Sequence, residues 1–116
     1  MNLFSRFFGN TTQNLNVNQV REWQTAAKKP LLIDVRQPEE FREGHIPGSK
    51  LIPLGELNHR LKDLPKDREI VCICRSGNRS GAAVRKLVSA GFKSYNMRGG
   101  MKAWQRAGLP LKKGLL

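Results

Sequence analysis

Residues 69–80 read EIVCICRSGNRS and decide the fold. The apolar run that ends at Ile73 is typical of a parallel strand covered on both faces. Small and polar residues without proline follow it, and apolar residues at helical spacing then predict a helix over 80–90. A buried strand joined by a short loop to a helix is the building unit of α/β proteins.

The rest of the chain repeats this alternation. Further strands are predicted over 31–35, 50–52 and 94–97, and further helices over 19–27 (capped by Asn18), 38–41, 54–64 and 100–107. The pattern predicts an α/β fold with a parallel sheet. We expect a flexible N-terminal leader over 1–14, a single domain over 15–111 and a C-terminal tail over 112–116.

Composition narrows the class of protein. The 116 residues suit one domain, and 39% hydrophobic residues indicate a globular chain. No stretch approaches the roughly 18 apolar residues of a membrane span. The only cysteines, Cys72 and Cys74, are too close for an unstrained disulfide. We therefore expect reduced thiols and a cytoplasmic location.

The charge is strongly basic and uneven. Lys and Arg number 21 against 9 Asp and Glu, a formal net charge of +12, and no acidic residue follows Cys74. A basic segment of this kind attracts anions, although it can equally serve solubility. Nucleic-acid binding is disfavoured because no reader motif and no basic run interleaved with aromatic residues accompanies the charge.

The segment after the buried strand at 69–73 carries the chemistry. Cys74 ends that strand, and sites in open α/β sheets form at the carboxyl ends of strands. The residues that follow it can present backbone N–H groups to one point, and two of them carry guanidinium groups: Arg75, Ser76, Gly77, Asn78, Arg79 and Ser80. Such a cradle binds anions and lowers the pKa of a thiol. The alternative is a buried structural cysteine beside a solvated basic loop.

The length of this segment favours one reaction class. Phosphate-ester hydrolysis by cysteine is associated with a Cys-x5-Arg loop, whereas Cys74 to Arg79 is Cys-x4-Arg. The tighter loop favours attack on a terminal sulfur of a thiosulfonate or persulfide. It disfavours a cysteine phosphatase or an arsenate reductase.

Other chemically suggestive residues receive structural interpretations. Asp34 and Arg36 follow a strand end and are expected to support the loop by ion pairing. Cys72 is expected to be inert in the sheet, with a resolving role as the alternative. His45 is expected to form a hydrogen bond within a turn. A zinc site is disfavoured by the Cys-x-Cys spacing, so no metal is expected.

Several segments together resemble the single-domain rhodaneses, the thiosulfate sulfurtransferase family. The loop over 74–80 resembles their active-site loop. The other matching segments are DVR at 34–36 with EF at 40–41, GHIPG at 44–48, IPL at 52–54 and MRGGM at 97–101 with Trp104. They occur in the family's order and cover roughly 15–111. Ser49 and Cys72 depart from the usual Ala and the usual aliphatic or aromatic residue.

The resemblance implies a rhodanese-like α/β fold, with a five-stranded parallel sheet and helices on both faces. It implies a catalytic Cys74 that carries a persulfide, taken from thiosulfate or a persulfide donor and passed to cyanide, a small thiol or a protein thiol. Arg75 and Arg79 would hold the sulfonate, backbone N–H groups of 76–80 would stabilise the sulfur, and no cofactor is required. The alternatives are a sulfur carrier for a tRNA- or cofactor-thiolating enzyme and a rhodanese-like interaction module.

Overall fold

Strand β4 lies at the centre of a five-stranded parallel sheet. In the computed structural model, which describes residues 13–115, the strands are β1 (Asn14–Leu15), β2 (Leu31–Asp34), β3 (Lys50–Leu51), β4 (Ile70–Ile73) and β5 (Ser94–Met97). Their order across the sheet is β1-β5-β4-β2-β3, and every pairing is parallel. The predicted fold class is confirmed.

The side chains around β4 alternate between two hydrophobic clusters. Ile70, Cys72 and Cys74 belong to one, and Val71 and Ile73 belong to the other. All five are almost fully buried. Successive strand residues point to opposite faces, so a run without polar interruptions requires packing on both.

Helices cover both faces, as predicted. They are α1 (Val17–Gln24), α2 (Pro38–Glu43), α3 (Leu57–Arg60), α4 (Asn78–Ser89) and α5 (Gly100–Arg106), with 3-10 helices at Leu54–Glu56 and Leu61–Asp63. Buried residues of α3 and α4 join the first cluster, and those of α1 and α5 join the second. No helix within residues 13–115 is long and apolar enough to cross a membrane.

The first helix begins earlier than its sequence suggests. Asn16, not Asn18, is the N-cap. Gln19 donates its backbone N–H to Asn16 Oδ1 at 2.9 Å, and the Gln19 side chain accepts from the Asn16 backbone at 2.8 Å. This reciprocal capping box satisfies two backbone donors at once, which one side chain at Asn18 would not do. The helix ends at Gln24, before the predicted end at residue 27.

The predicted helix over 54–64 is interrupted. One α-helical turn, α3, lies between the two 3-10 helices. The leucines recur at spacings of three and four residues, which fit an α-helix, but spacings of three also place side chains above one another in a 3-10 helix. Leu57 and Leu64 still reach the core.

Strand β1 was not predicted, because it has no local signal. Its two residues pair with β5 in the register Asn14↔Asn96 and Leu15↔Met97. Asn14, within the predicted leader, belongs to this strand; residues 1–12, the rest of the predicted leader except Gln13, lie outside the described part. At the other end, Lys112 in the predicted tail pairs with His45.

Candidate active site

Cys74 follows β4 directly and is held at the carboxyl edge of the sheet. Its side chain is enclosed, because the residue is only 1% exposed. Gly77 donates its backbone N–H to Cys74 Sγ at 3.0 Å, and Ser80 Oγ lies 3.2 Å from the same sulfur. The sulfur therefore sits where the chain turns from strand to helix, as the sequence predicted.

The turn is shorter than expected. Helix α4 starts at Asn78, two residues before the predicted start, so Arg79 and Ser80 lie in its first turn. Only three residues connect Cys74 to α4. Gly77 makes this possible with φ of +111°, in the left-handed region that residues with a Cβ avoid. The positive end of α4 is thereby brought beside the sulfur.

Opposing effects set the pKa of Cys74. Burial raises the pKa, but the Ser80 hydroxyl and the backbone N–H groups of Ser80, Gly77 and Ser76 outweigh burial and lower it below 9.0. Each of these donors interacts more strongly with a thiolate than with a thiol. The site thus favours the reactive form of the sulfur.

Cys72 has the opposite environment. It is completely buried, and burial raises its pKa to about 12 despite a contact of 3.6 Å between its sulfur and Ser94 Oγ. A thiol with this pKa stays protonated at neutral pH and is a poor nucleophile. The buried position predicted for Cys72 is confirmed.

Helix α5 packs against residues 74–77, which we call the cysteine segment. Met101 donates its backbone N–H to the Cys74 carbonyl at 2.8 Å, and Lys102 donates to the Arg75 carbonyl at 3.0 Å. Gly100 has φ of +57°, and a Cβ there would overlap the carbonyls of Cys74 and Arg75. The backbone of α5 therefore approaches that of Cys74 and Arg75 closely at this glycine.

Arg79 has a partner that sequence reasoning missed. Its two terminal nitrogens donate to the two carboxylate oxygens of Glu40 in α2, at 2.7 and 2.8 Å. Hydrogen bonding to Arg79 holds the pKa of Glu40 down at about 2, although burial opposes it, and hydrogen bonding to Glu40 raises the pKa of Arg79. Both terminal nitrogens of the Arg79 guanidinium are thus bound to a carboxylate of the protein, and substrate binding by Arg79 stays a prediction.

Arg75 and Arg36, one member of the predicted supporting pair, line a common cavity of about 570 Å³. Arg75 is exposed, and Lys102 and Glu43 contribute the other exposed charges of the lining. Arg36 is buried and forms an ion pair with Asp34 at 2.8 Å, and it also donates to the Gly44 carbonyl at 2.8 Å. This pair fixes the chain after α2, so its hydrogen bonds support the cavity wall rather than the cysteine segment.

His45 has the structural role that was expected. Its Nδ1 lies 2.8 Å from the Phe41 carbonyl, and its ring stacks on that of Phe41 with the centroids 3.6 Å apart. The buried ring thus closes the turn after α2.

Asn96 of β5 is a site residue that no motif in the sequence indicates. The Ser80 hydroxyl donates to Asn96 Oδ1 at 2.5 Å, and Asn96 Nδ2 donates to Asn14 Oδ1 at 3.0 Å and to the Gly77 carbonyl at 3.4 Å. The one available hint was a polar residue inside a short strand. Only sheet pairing brings it beside the cysteine segment.

These features define a class of protein. The family of Rhodanese-like domains matches residues 16–107, so the chain belongs to that family. The chain is 43% identical over 82 residues to a sulfurtransferase of Allochromatium vinosum, covering 70% of this chain and 77% of that protein. It is 42% identical over 95 residues to the putative sulfurtransferase YtwF of Bacillus subtilis, covering 75% and 92%.

A solved structure is similar over nearly the whole domain. A rhodanese-related protein from Thermoplasma volcanium aligns with a TM-score of 0.81 at 34% identity, covering 90% of this chain and 99% of that one. This structure supports the rhodanese fold, and the two sulfurtransferases support sulfur transfer as the class of reaction.

Proposed function

We propose that the protein transfers sulfane sulfur from thiosulfate or a persulfide to a thiophilic acceptor through a persulfide on Cys74. The observation that carries this proposal is the hydrogen bond from the Gly77 backbone to Cys74 Sγ, at 3.0 Å, where α4 begins. A sulfur held in this way is stabilised as a thiolate, and the backbone N–H groups that follow Cys74 can stabilise the outer sulfur once the persulfide forms.

The reaction proceeds in two displacements. The Cys74 thiolate attacks the sulfane sulfur of thiosulfate, a new S–S bond forms, and the bond to the sulfonate sulfur breaks with its electron pair leaving as sulfite. The acceptor then attacks the outer sulfur, and Cys74 leaves as a thiolate. Sulfite is stable as an anion at neutral pH, so no group has to protonate it. The cycle is of the ping-pong type.

Arg75 is the residue we assign to the sulfonate. It is exposed beside the cavity, whereas the guanidinium of Arg79 is bound to Glu40. A guanidinium can donate two parallel hydrogen bonds to sulfonate oxygens. Arg79 then contributes its position in α4 and a positive charge near the sulfur, and the backbone groups of 76–80 complete the cradle.

The sulfur acceptor and the cellular location are also part of this proposal. A small thiol, a protein thiol or cyanide fits the chemistry, and a tRNA- or cofactor-thiolating enzyme would draw on the same persulfide. Both cysteines are free thiols in the structure, which suits the reducing cytoplasm.

Intact mass spectrometry after incubation with thiosulfate tests the proposal. We expect a gain of about 32 Da, removed by cyanide or a thiol. Cys72→Ser should retain the gain and Cys74→Ser should lose it. An adduct that persists in Cys74→Ser would refute the assignment. So would the absence of any adduct with both thiosulfate and a persulfide donor.

A further inference from the structure

One hydroxyl proton at the site faces two acceptors. Ser80 Oγ lies 3.2 Å from Cys74 Sγ and donates to Asn96 Oδ1 at 2.5 Å. A serine hydroxyl has a single proton. While Ser80 donates to Asn96, it can only accept from the Cys74 thiol. To stabilise a thiolate it must release Asn96 and donate to sulfur.

The orientation of Asn96 is fixed by its other contacts. Its amide nitrogen lies 3.4 Å from the Gly77 carbonyl, which has no proton to give, and 3.0 Å from Asn14 Oδ1. Rotating the carboxamide would set its oxygen against the Gly77 carbonyl. The oxygen of Asn96 is therefore held towards Ser80.

We propose that Asn96 is a positioning residue which holds the Ser80 hydroxyl proton while Cys74 is a thiol or carries sulfur and yields it when Cys74 becomes a thiolate. This inference deepens the proposed function. In the resting thiol, Cys74 donates to Ser80 and Ser80 donates to Asn96. In the thiolate, the Ser80 proton turns to Sγ. Once a persulfide forms, the charge lies on the outer sulfur and the proton returns to Asn96.

Asn96 therefore competes with the thiolate for one donor. Its removal should favour the thiolate, opposite to the effect expected of a residue that merely holds the loop together. Among the described residues, the charged or titratable groups around the cysteine segment include Cys72 on β4, Arg75 in the turn, Arg79 with its partner Glu40, the Asp34–Arg36 pair at the end of β2, and Lys102 on α5. Changes at Asn96 and Ser80 leave all of these in place.

The test is a pH titration of thiolate ultraviolet absorbance in the full chain, with Cys74→Ser subtracted as the blank. Asn96→Ala should lower the Cys74 midpoint and give about three- to tenfold more thiolate below it. Ser80→Ala should raise the midpoint. In the double variant Ser80→Ala/Asn96→Ala the Asn96 change should have no further effect, because the shared proton is gone.

A raised midpoint in Asn96→Ala, an unchanged one, or the same shift with and without Ser80 would overturn the proposal. If the alanine variant does not fold, Asn96→Leu, which is similar to asparagine in size and accepts no hydrogen bond, replaces it. It should lower the midpoint when Ser80 is present and leave it unchanged when Ser80 is absent, so an equal shift in both backgrounds contradicts the proposal. The titration needs no turnover, and a failure to take up sulfur from thiosulfate would refute the proposed function alone.

Discussion

Replacing Glu40 with glutamine tests how the Arg79–Glu40 pair contributes to the site and to stability. The pKa of Glu40 is lowered from 4.5 to about 2, chiefly by its hydrogen bonds with Arg79. A carboxyl with a depressed pKa stabilises the folded state above its ordinary pKa and loses that contribution as the pH falls towards the folded-state value. The window is therefore from pH 4.5 down to about 2.

The expected magnitude is modest. The full shift would correspond to about 3 kcal/mol. The side chains are 36% and 29% exposed, so solvent screening reduces the contribution to about 1 kcal/mol. Urea unfolding at a series of pH values should show the wild type losing about 1 kcal/mol more than Glu40→Gln between pH 4.5 and 2.

The chain offers a matched control. Arg60 and Asp63 form an ion pair at 3.3 Å with more exposed side chains, 37% and 53%. Asp63→Asn should leave the pH dependence of unfolding almost unchanged. If Glu40→Gln and the wild type lose stability in parallel over the acid range, the bidentate pair does not act as described.

Three further outcomes are expected. Arg75→Ala should lower kcat/KM for thiosulfate by about 10- to 150-fold, equivalent to about 1.5–3 kcal/mol for a lost charge-assisted contact. It should lower kcat/KM for an uncharged persulfide donor less. Equal losses with both donors would contradict sulfonate binding by Arg75. Gly100→Ala should lower the free energy of unfolding, measured in urea, by about 2–4 kcal/mol because the added Cβ overlaps the backbone of Cys74 and Arg75. Gly108 also has a positive φ but open space around it, so Gly108→Ala should lower the free energy of unfolding by only about 1 kcal/mol. Turnover of p-nitrophenyl phosphate should be negligible beside that of thiosulfate; comparable rates would overturn the argument from the tight Cys-x4-Arg spacing.

The strand, turn and helix around Cys74 could be predicted from local sequence. The apolar run to Ile73 indicates a strand, the small residues after Cys74 indicate a turn, and the apolar spacing indicates helix α4. The structure contains all three elements. The errors lie where local signals are weak or shared. Asn16 and Asn18 are both capable N-caps, and the leucines over 54–64 fit two kinds of helix.

The electrostatic partners of the site could not be predicted from local sequence. The basic residues after Cys74 were visible, but Arg79 is bound to Glu40, which lies 39 residues away in the sequence. A guanidinium near an anion site can serve the substrate or a carboxylate of the protein. Composition does not distinguish the two, because the outcome depends on where α2 packs.

The sequence by itself determined the α/β class, the strand that ends at Cys74 and the chemistry of a thiol at a helix N-terminus, because each depends on residues that are neighbours in the chain. Tertiary structure alone decided that Asn14 and Asn96 lie side by side, that α5 packs against the cysteine segment and that the Ser80 hydroxyl lies between Cys74 Sγ and Asn96 Oδ1. These contacts join strands and helices distant in sequence. They form only when the sheet brings β1, β4 and β5 together, and no local propensity encodes that order.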